Sequence, residues 1–170
     1  MAWTNSDGLY IRFGKEEATV GRAGEYNLLG PEHVTELSID LTDLTDTTAI
    51  MDRNTLIPAG AQIERVVLLV TEVTAGTNSN LNVGLIRQDM TTTYDADGLL
   101  AAADAFHAAA LDAADSRVEY LSGTTEAGAL VGTILAYSGY LVAHYDTGAY
   151  SDGNVTIRIY WSKPVPGPDL

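Results

Sequence analysis

Ile63–Val73 reads IERVVLLVTEV, and seven of these eleven residues are Val, Leu or Ile. The run is far shorter than the ~18 residues of a membrane span. Its β-branched content favours a strand over a helix. A strand that is apolar on successive residues needs cover on both faces, as in the middle of a sandwich. Pro58-Ala59-Gly60 before it is turn chemistry. Thr74–Asn80, TAGTNSN, is polar and reads as a hairpin loop, with Leu81 starting the return strand.

Working outward, other segments show period two. In Asn154–Ser162, NVTIRIYWS, Val155, Ile157, Ile159 and Trp161 alternate with Thr156, Arg158 and Tyr160. In Glu36–Thr42, ELSIDLT, Leu37, Ile39 and Leu41 point one way and Glu36, Ser38 and Asp40 the other. Leu81, Val83 and Leu85 make a third inward set, and Leu9, Ile11 and Phe13 a fourth. Gly128–Tyr150 supplies two more strands, broken near Ser138-Gly139. The expected fold is mainly β: an antiparallel β-sandwich of about eight strands with jelly-roll-like connections.

One segment departs from this pattern. From Gly98 to Ala114, nine of seventeen residues are alanine, the strongest helix former. With Asp97 as N-cap, the spacing predicts a short helix over about 98–114. Leu99, Phe106 and Leu111 would form its packing face, and Asp104, Asp112 and Asp115 its wet face. The expected organisation is an N-terminal arm or edge strand over 1–14, a sandwich over 15–162, and a proline-rich tail over 163–170.

The totals exclude several function classes. The chain has 170 residues, with 23 acidic against 9 basic, a net charge of −14. Such a surface repels nucleic-acid backbones and anionic lipid, so neither nucleic acid nor membrane is an expected partner. Absence of cysteine removes disulfides and thiolate metal sites. The start, MAWTNSDGLY, has no basic or apolar signal region, so synthesis in a cytoplasm is expected.

No catalytic or metal constellation outweighs a structural explanation. Asp104 and His107 have i,i+3 spacing, but a second such pair is missing. Asp95–Gly98, DADG, resembles the start of a calcium loop, yet its glycine comes too early and its twelfth position is Phe106. Asp40, Asp43 and Asp46 lie three apart and read as a strand end entering a loop. His144 and Asp146 share a strand face, without a nucleophile to complete a triad. The chain has nine tyrosines, which suit interfaces better than a sugar groove. No catalytic residue, metal or cofactor is expected.

Four segments, MAWTNSDGLYIRFGKEEA…GEY, IPAGAQIERVVLLVTEVTAGTNSNLNVGLI, YDADGLLAA and VTIRIYW, give the chain a likeness spread over nearly its full length. It resembles small virion proteins of tailed bacteriophages, closest to the capsid decoration (cement) type. The resemblance implies a sandwich on the outer head surface, in many copies, as trimers or else dimers. It implies a non-enzymatic role, clamping subunits of the phage major capsid protein. Trp3, Leu9, Tyr10, Ile11, Arg12 and Phe13 are the candidate contact to the capsid or to a sister copy, being amphipathic and rich in anchor residue types. The alternatives are another virion part (tail, neck or fibre base) or a carbohydrate- or receptor-binding sandwich module.

Overall fold

The computed structural model describes residues 2–4, 10–12, 32–50, 52–76, 80–103, 117–146 and 148–163. Two short strands, β1 (Ala2–Thr4) and β2 (Tyr10–Arg12), pair antiparallel with each other as a separate two-stranded sheet. Eight further strands follow: β3 (Glu32–Asp40), β4 (Ala49–Ile50), β5 (Gln62–Gly76), β6 (Leu81–Arg87), β7 (Thr93–Ala103), β8 (Arg117–Leu121), β9 (Gly139–Tyr145) and β10 (Tyr150–Ser162).

These eight form two four-stranded sheets, ordered β3-β10-β5-β8 and β4-β9-β6-β7. The first strand pairs with the last, β3 with β10, and the pairing continues inward as β4 with β9, β5 with β8 and β6 with β7. This is one long antiparallel hairpin rolled up, so that β10 also meets β5 and β9 also meets β6. It is the jelly-roll arrangement of a β-sandwich.

The core lies between the sheets. Leu37 and Ile39 of β3, Val155, Ile157 and Ile159 of β10, and Ile63, Val66, Leu68 and Val70 of β5 come from one side. Leu81, Val83 and Leu85 of β6 and Leu141 and Ala143 of β9 come from the other. The alternation expected for β3, β6 and β10 is met. Cover on the outer face of β5 comes from charged side chains and not from the second apolar layer that was expected. Val67 points outward between its ladder partners Arg158 and Glu119, yet only 1% of it is exposed.

Four further expectations are corrected. First, Gly98–Ala103 is not helical but the end of β7. Both backbone edges there are hydrogen-bonded. Val83 and Leu81 of β6 face Leu100 and Ala103, while Ala101 N–H donates to Glu126 O at 2.9 Å and Gly98 O accepts from Leu130 N–H at 2.8 Å. Leu99 and Leu100 are both fully buried. The helix preference of alanine is a fraction of a kcal/mol per residue, whereas each buried leucine contributes about 1.5–3 kcal/mol. The predicted cap Asp97 therefore lies within a strand, and the helix positions from Asp104 onward, with Phe106, His107 and Leu111, lie outside the described residues.

Second, the segment after β5 is not a hairpin loop, because β5 and β6 belong to opposite sheets. Third, Gly128–Tyr150 contains β9 but not a second strand before it. Gly128–Ser138 is a loop, tied to β7 on one side and to the lead into β5 on the other. Fourth, β4 and β8 were not expected: β4 has two residues, and β8, RVEYL, follows the segment read as helix.

The loop at Asp40–Asp46 turns as the aspartate spacing suggested. Asp40 caps a 3-10 turn at Leu41–Asp43, accepting from Thr42 N–H at 3.0 Å and Thr42 Oγ1 at 2.7 Å. Those bonds, the hydroxyl's first, hold its carboxyl below the ordinary aspartate range.

Candidate interaction surface

The jelly-roll order brings three connections to one end of the sandwich: β4–β5, β6–β7 and β8–β9. Backbone bonds tie them together. Ile57 bridges Gly139, Gln62 bridges Ile134, and Gly60 N–H donates to Leu135 O at 2.8 Å. Ser138 Oγ accepts from Ala59 N–H at 2.9 Å, and Ser138 O accepts from Gln88 N–H at 3.1 Å. Asp89 fastens the tip of the β6–β7 turn by accepting from Thr91 and Thr92 N–H at 2.8 Å each. These backbone bonds lower its pKa to about 2.

This rigid end displays apolar side chains. Ile134 is 59% exposed, Tyr137 46% and Leu56 36%. Tyr94 meets Tyr137 edge-on with centroids 5.4 Å apart, and the Tyr94 hydroxyl accepts from Ala136 N–H at 3.0 Å. The Arg87 guanidinium stacks over the Tyr137 ring, 3.8 Å from its centroid. Arg87 Nε is buried without a hydrogen-bond partner. Tyrosine and arginine anchored in this way are the side chains that dominate protein interfaces.

The outer face of the β3-β10-β5-β8 sheet has a different character. Its arginines are matched by glutamates: Arg158 with Glu36 at 2.6 Å, Arg65 with Glu32 at 3.3 Å and Glu119 at 3.1 Å, and Arg117 with Glu119 at 3.6 Å. Arg65 also lies over the Tyr160 ring at 4.1 Å. Glu36 holds Arg158 still more firmly protonated. A polar groove of about 510 Å³ opens on the same sheet, lined in part by Ser38, Asp40, Thr71, Glu72, Asn154 and Thr156. Its polar groups are occupied with each other: Asn154 donates to Glu72, and the Ser38 and Thr156 hydroxyls lie 3.0 Å apart.

His144 and Asp146 do meet, with His144 Nε2 3.5 Å from Asp146 Oδ1. The third neighbour is the buried Asn82 amide at 3.4 Å, whose Oδ1 accepts from Ala102 N–H at 2.6 Å. This group braces the end of β7 and includes no nucleophile. Among the described residues no three His, Asp or Glu side chains are grouped to hold a metal ion.

The predicted contact residues are only partly visible. Trp3 lies on β1, and Tyr10, Ile11 and Arg12 on β2, where Trp3 faces Ile11 in the ladder. Leu9 and Phe13 lie outside the described residues. Leu99, expected on a helix face, is a core residue of the sandwich. The described tyrosines do not line one groove: Tyr120 and Tyr150 are buried, and Tyr160 sits beneath Arg65. Leu56, Arg87, Tyr94, Ile134 and Tyr137 escaped the sequence analysis as a group. Ile134 sat in a run read as a core strand, and the five are brought together only by topology.

No protein family's sequence profile matches this chain, and no curated protein sequence does. Five chains of solved structures match it in fold. A chain of the acidic stable capsid structure of Helicobacter pylori bacteriophage KHP30 superposes with a TM-score of 0.53, over 81% of this chain and 91% of that one, at 12% identity. A chain of the cyanophage Pam1 capsid asymmetric unit superposes with a TM-score of 0.51, over 88% of this chain and 98% of that one, at 19% identity. This chain shares its fold with chains of phage capsids. The shared fold covers most of this chain and nearly all of the two capsid chains.

Proposed function

We propose that this protein is a non-enzymatic structural protein of a phage virion, and specifically a decoration (cement) protein on the outer face of the head shell. The observation that carries the proposal is the near end-to-end fold match with a chain of the Pam1 capsid asymmetric unit, 88% of one chain and 98% of the other. The resemblance of four segments, spread over nearly the full length, to decoration proteins points the same way. So does the surface: among the described residues the outer-face arginines are matched by glutamates, and the loop end displays Leu56, Ile134 and Tyr137. Its charge of −14 keeps it off the packaged genome.

A cement protein works by bridging subunits of the major capsid protein. Each contact is weak, and many copies or linked copies add up through effective concentration. Trimers suit a shell whose subunits meet around three-fold positions. The N-terminal hairpin is a second contact element, because a two-stranded sheet is marginal by itself and gains stability from a surface to lie on.

The test is to add the purified protein to heads assembled without it and to image the particles by electron microscopy. Regular density on the outer shell is expected. Density confined to the tail, neck or fibre base, or absence of binding, overturns the cement reading.

A further inference from the structure

Three aspartates in the chain are followed directly by glycine: Asp7, Asp97 and Asp152. In such a pair the glycine nitrogen, shielded by no side chain, can attack the aspartate side-chain carbon and close a five-membered imide. Asp7-Gly8 lies outside the described residues. The fold treats the other two pairs differently. Asp152-Gly153 lies near the start of β10, where the register against β5 shifts on both sides of Asp152. Neither β5 nor β3 gives Gly153 a register partner, and its φ of +120° is a backbone that glycine takes without strain. Its N–H donates to Asp152 Oδ1 at 2.9 Å. Oδ1 is bonded to Cγ, so the side-chain carbon lies beside the nitrogen that would attack it. Asp152 is exposed, and water reaches it. Asp97-Gly98 is clamped instead. Its two carbonyls pack against Gly128, Gly98 O accepts from Leu130 N–H at 2.8 Å, and Gly98 is buried against the Leu130 and Asp95 side chains.

We propose that Asp152-Gly153 is a site of spontaneous imide formation and isomerisation to isoaspartate, held open in the folded protein, whereas Asp97-Gly98 is held closed. The reaction needs no co-reactant but water. Starting from the protonated carboxyl, Gly153 N bonds to Asp152 Cγ and the Cγ–OH bond breaks. The amide proton leaves with that hydroxyl as water. Water then adds back to the imide. Breaking the new N–Cγ bond restores aspartate, and breaking the original bond from Gly153 N to the Asp152 main-chain carbonyl leaves isoaspartate. No atom is gained or lost overall, and the product is again a carboxylic acid. The main chain becomes longer by one methylene. That methylene falls between the register pairs Asp152↔Ala75 and Asn154↔Glu72, where the ladder is already irregular and can take it. At Asp97-Gly98 the same insertion would push the backbone into Gly128. Ring closure depends on holding nitrogen and carbon together, and the fold does so only at the first site.

The experiment stores the purified full chain warm at mildly acidic pH, folded in one sample and unfolded in concentrated urea in another. Both are digested, and isoaspartate at each position is measured by electron-transfer fragmentation mass spectrometry. In the folded sample Asp152 should accumulate isoaspartate at least about tenfold faster than Asp97, the scale on which a small misplacement of reacting atoms acts. In urea the two sites should react at comparable rates, because the difference belongs to the fold. Asp152→Asn should react faster, releasing ammonia in place of water. Asp152→Glu, which would have to close a six-membered ring, should leave the site inert. Melting temperatures of both variants establish that each reads a folded protein, and the comparison of Asp152 with Asp97 within the wild type needs no variant. Equal accumulation at the two sites in the folded chain, or isoaspartate at 152 in urea alone, overturns the inference.

Discussion

Gly98 and Gly128 meet backbone to backbone. A Cβ built on Gly128 would lie 2.1 Å from the Gly98 carbonyl carbon, with Asp97 O and Gly98 O each 2.3 Å away. The contact lets the β8–β9 connection lie flat against β7 and exchange hydrogen bonds with Gly98, Leu99 and Ala101. It is the seam that joins the interaction surface to the sandwich.

Gly128→Ala should therefore be strongly destabilising. Neither neighbour can move without breaking the ladder, and overpacking of this kind costs about 1–3 kcal/mol or more. Gly123, at φ +84° with open space around it, provides the comparison. Gly123→Ala should cost only about 1–2 kcal/mol from its left-handed backbone. Urea denaturation of both variants checks the order, and equal losses would refute the seam.

Asp95 and Asp97 lie two apart on β7. Burial, and then the hydrogen bond and charge of Asp97, push the Asp95 carboxyl above the ordinary aspartate range. A carboxyl raised on folding favours the folded state when protonated, and that contribution is lost as pH rises through its folded value. Asp95→Asn should be more stable than the wild type at neutral pH, with the gap closing in acid. Denaturant midpoints across pH measure this. A gap that widened in acid would reverse the sign and sink the argument.

Asp89 acts in the opposite sense. Its pKa of about 2 means that its bonds to Thr91 and Thr92 persist until the pH falls to that value. Asp89→Ala should loosen the β6–β7 turn, raising amide exchange at Thr91 and Thr92 while leaving the β10 amides protected. Unchanged exchange at Thr91 and Thr92 would show that the carboxylate does not hold the turn.

Ala102 has φ +51°, and its N–H is held by the buried Asn82 side chain. Asn82→Ala should cost about 1–3 kcal/mol by stranding that donor. Ala102→Gly should be neutral or slightly stabilising, because glycine occupies the left-handed region without strain. Thermal melts of the two variants, which differ by a single short side chain each, separate these effects.

Deleting residues 1–14 should lower occupancy on heads while leaving the melting temperature of the sandwich nearly unchanged, since β1 pairs only with β2 among the described strands. Full occupancy after deletion would remove the hairpin from the proposed contacts.

What the sequence by itself determined is the alternating part of the core. Leu37, Ile39, Val155, Ile157, Ile159, Leu81, Val83 and Leu85 were legible because period-two alternation is a local signal, and burial of one face follows from it. Tertiary structure alone decided which strands pair. The step after β5 passes to the other sheet, whereas a polar loop of that length is equally compatible with a hairpin. It also decided the state of Gly98–Ala103, where ladders on both edges and two buried leucines outweigh a weak local preference of alanine for helix. The interaction surface was hidden for the same reason. Leu56 comes from the β4–β5 connection, Ile134 and Tyr137 from the β8–β9 connection, and Arg87 and Tyr94 from the strand ends beside the β6–β7 turn, and only the rolled hairpin, which turns every second connection to one end, brings them together.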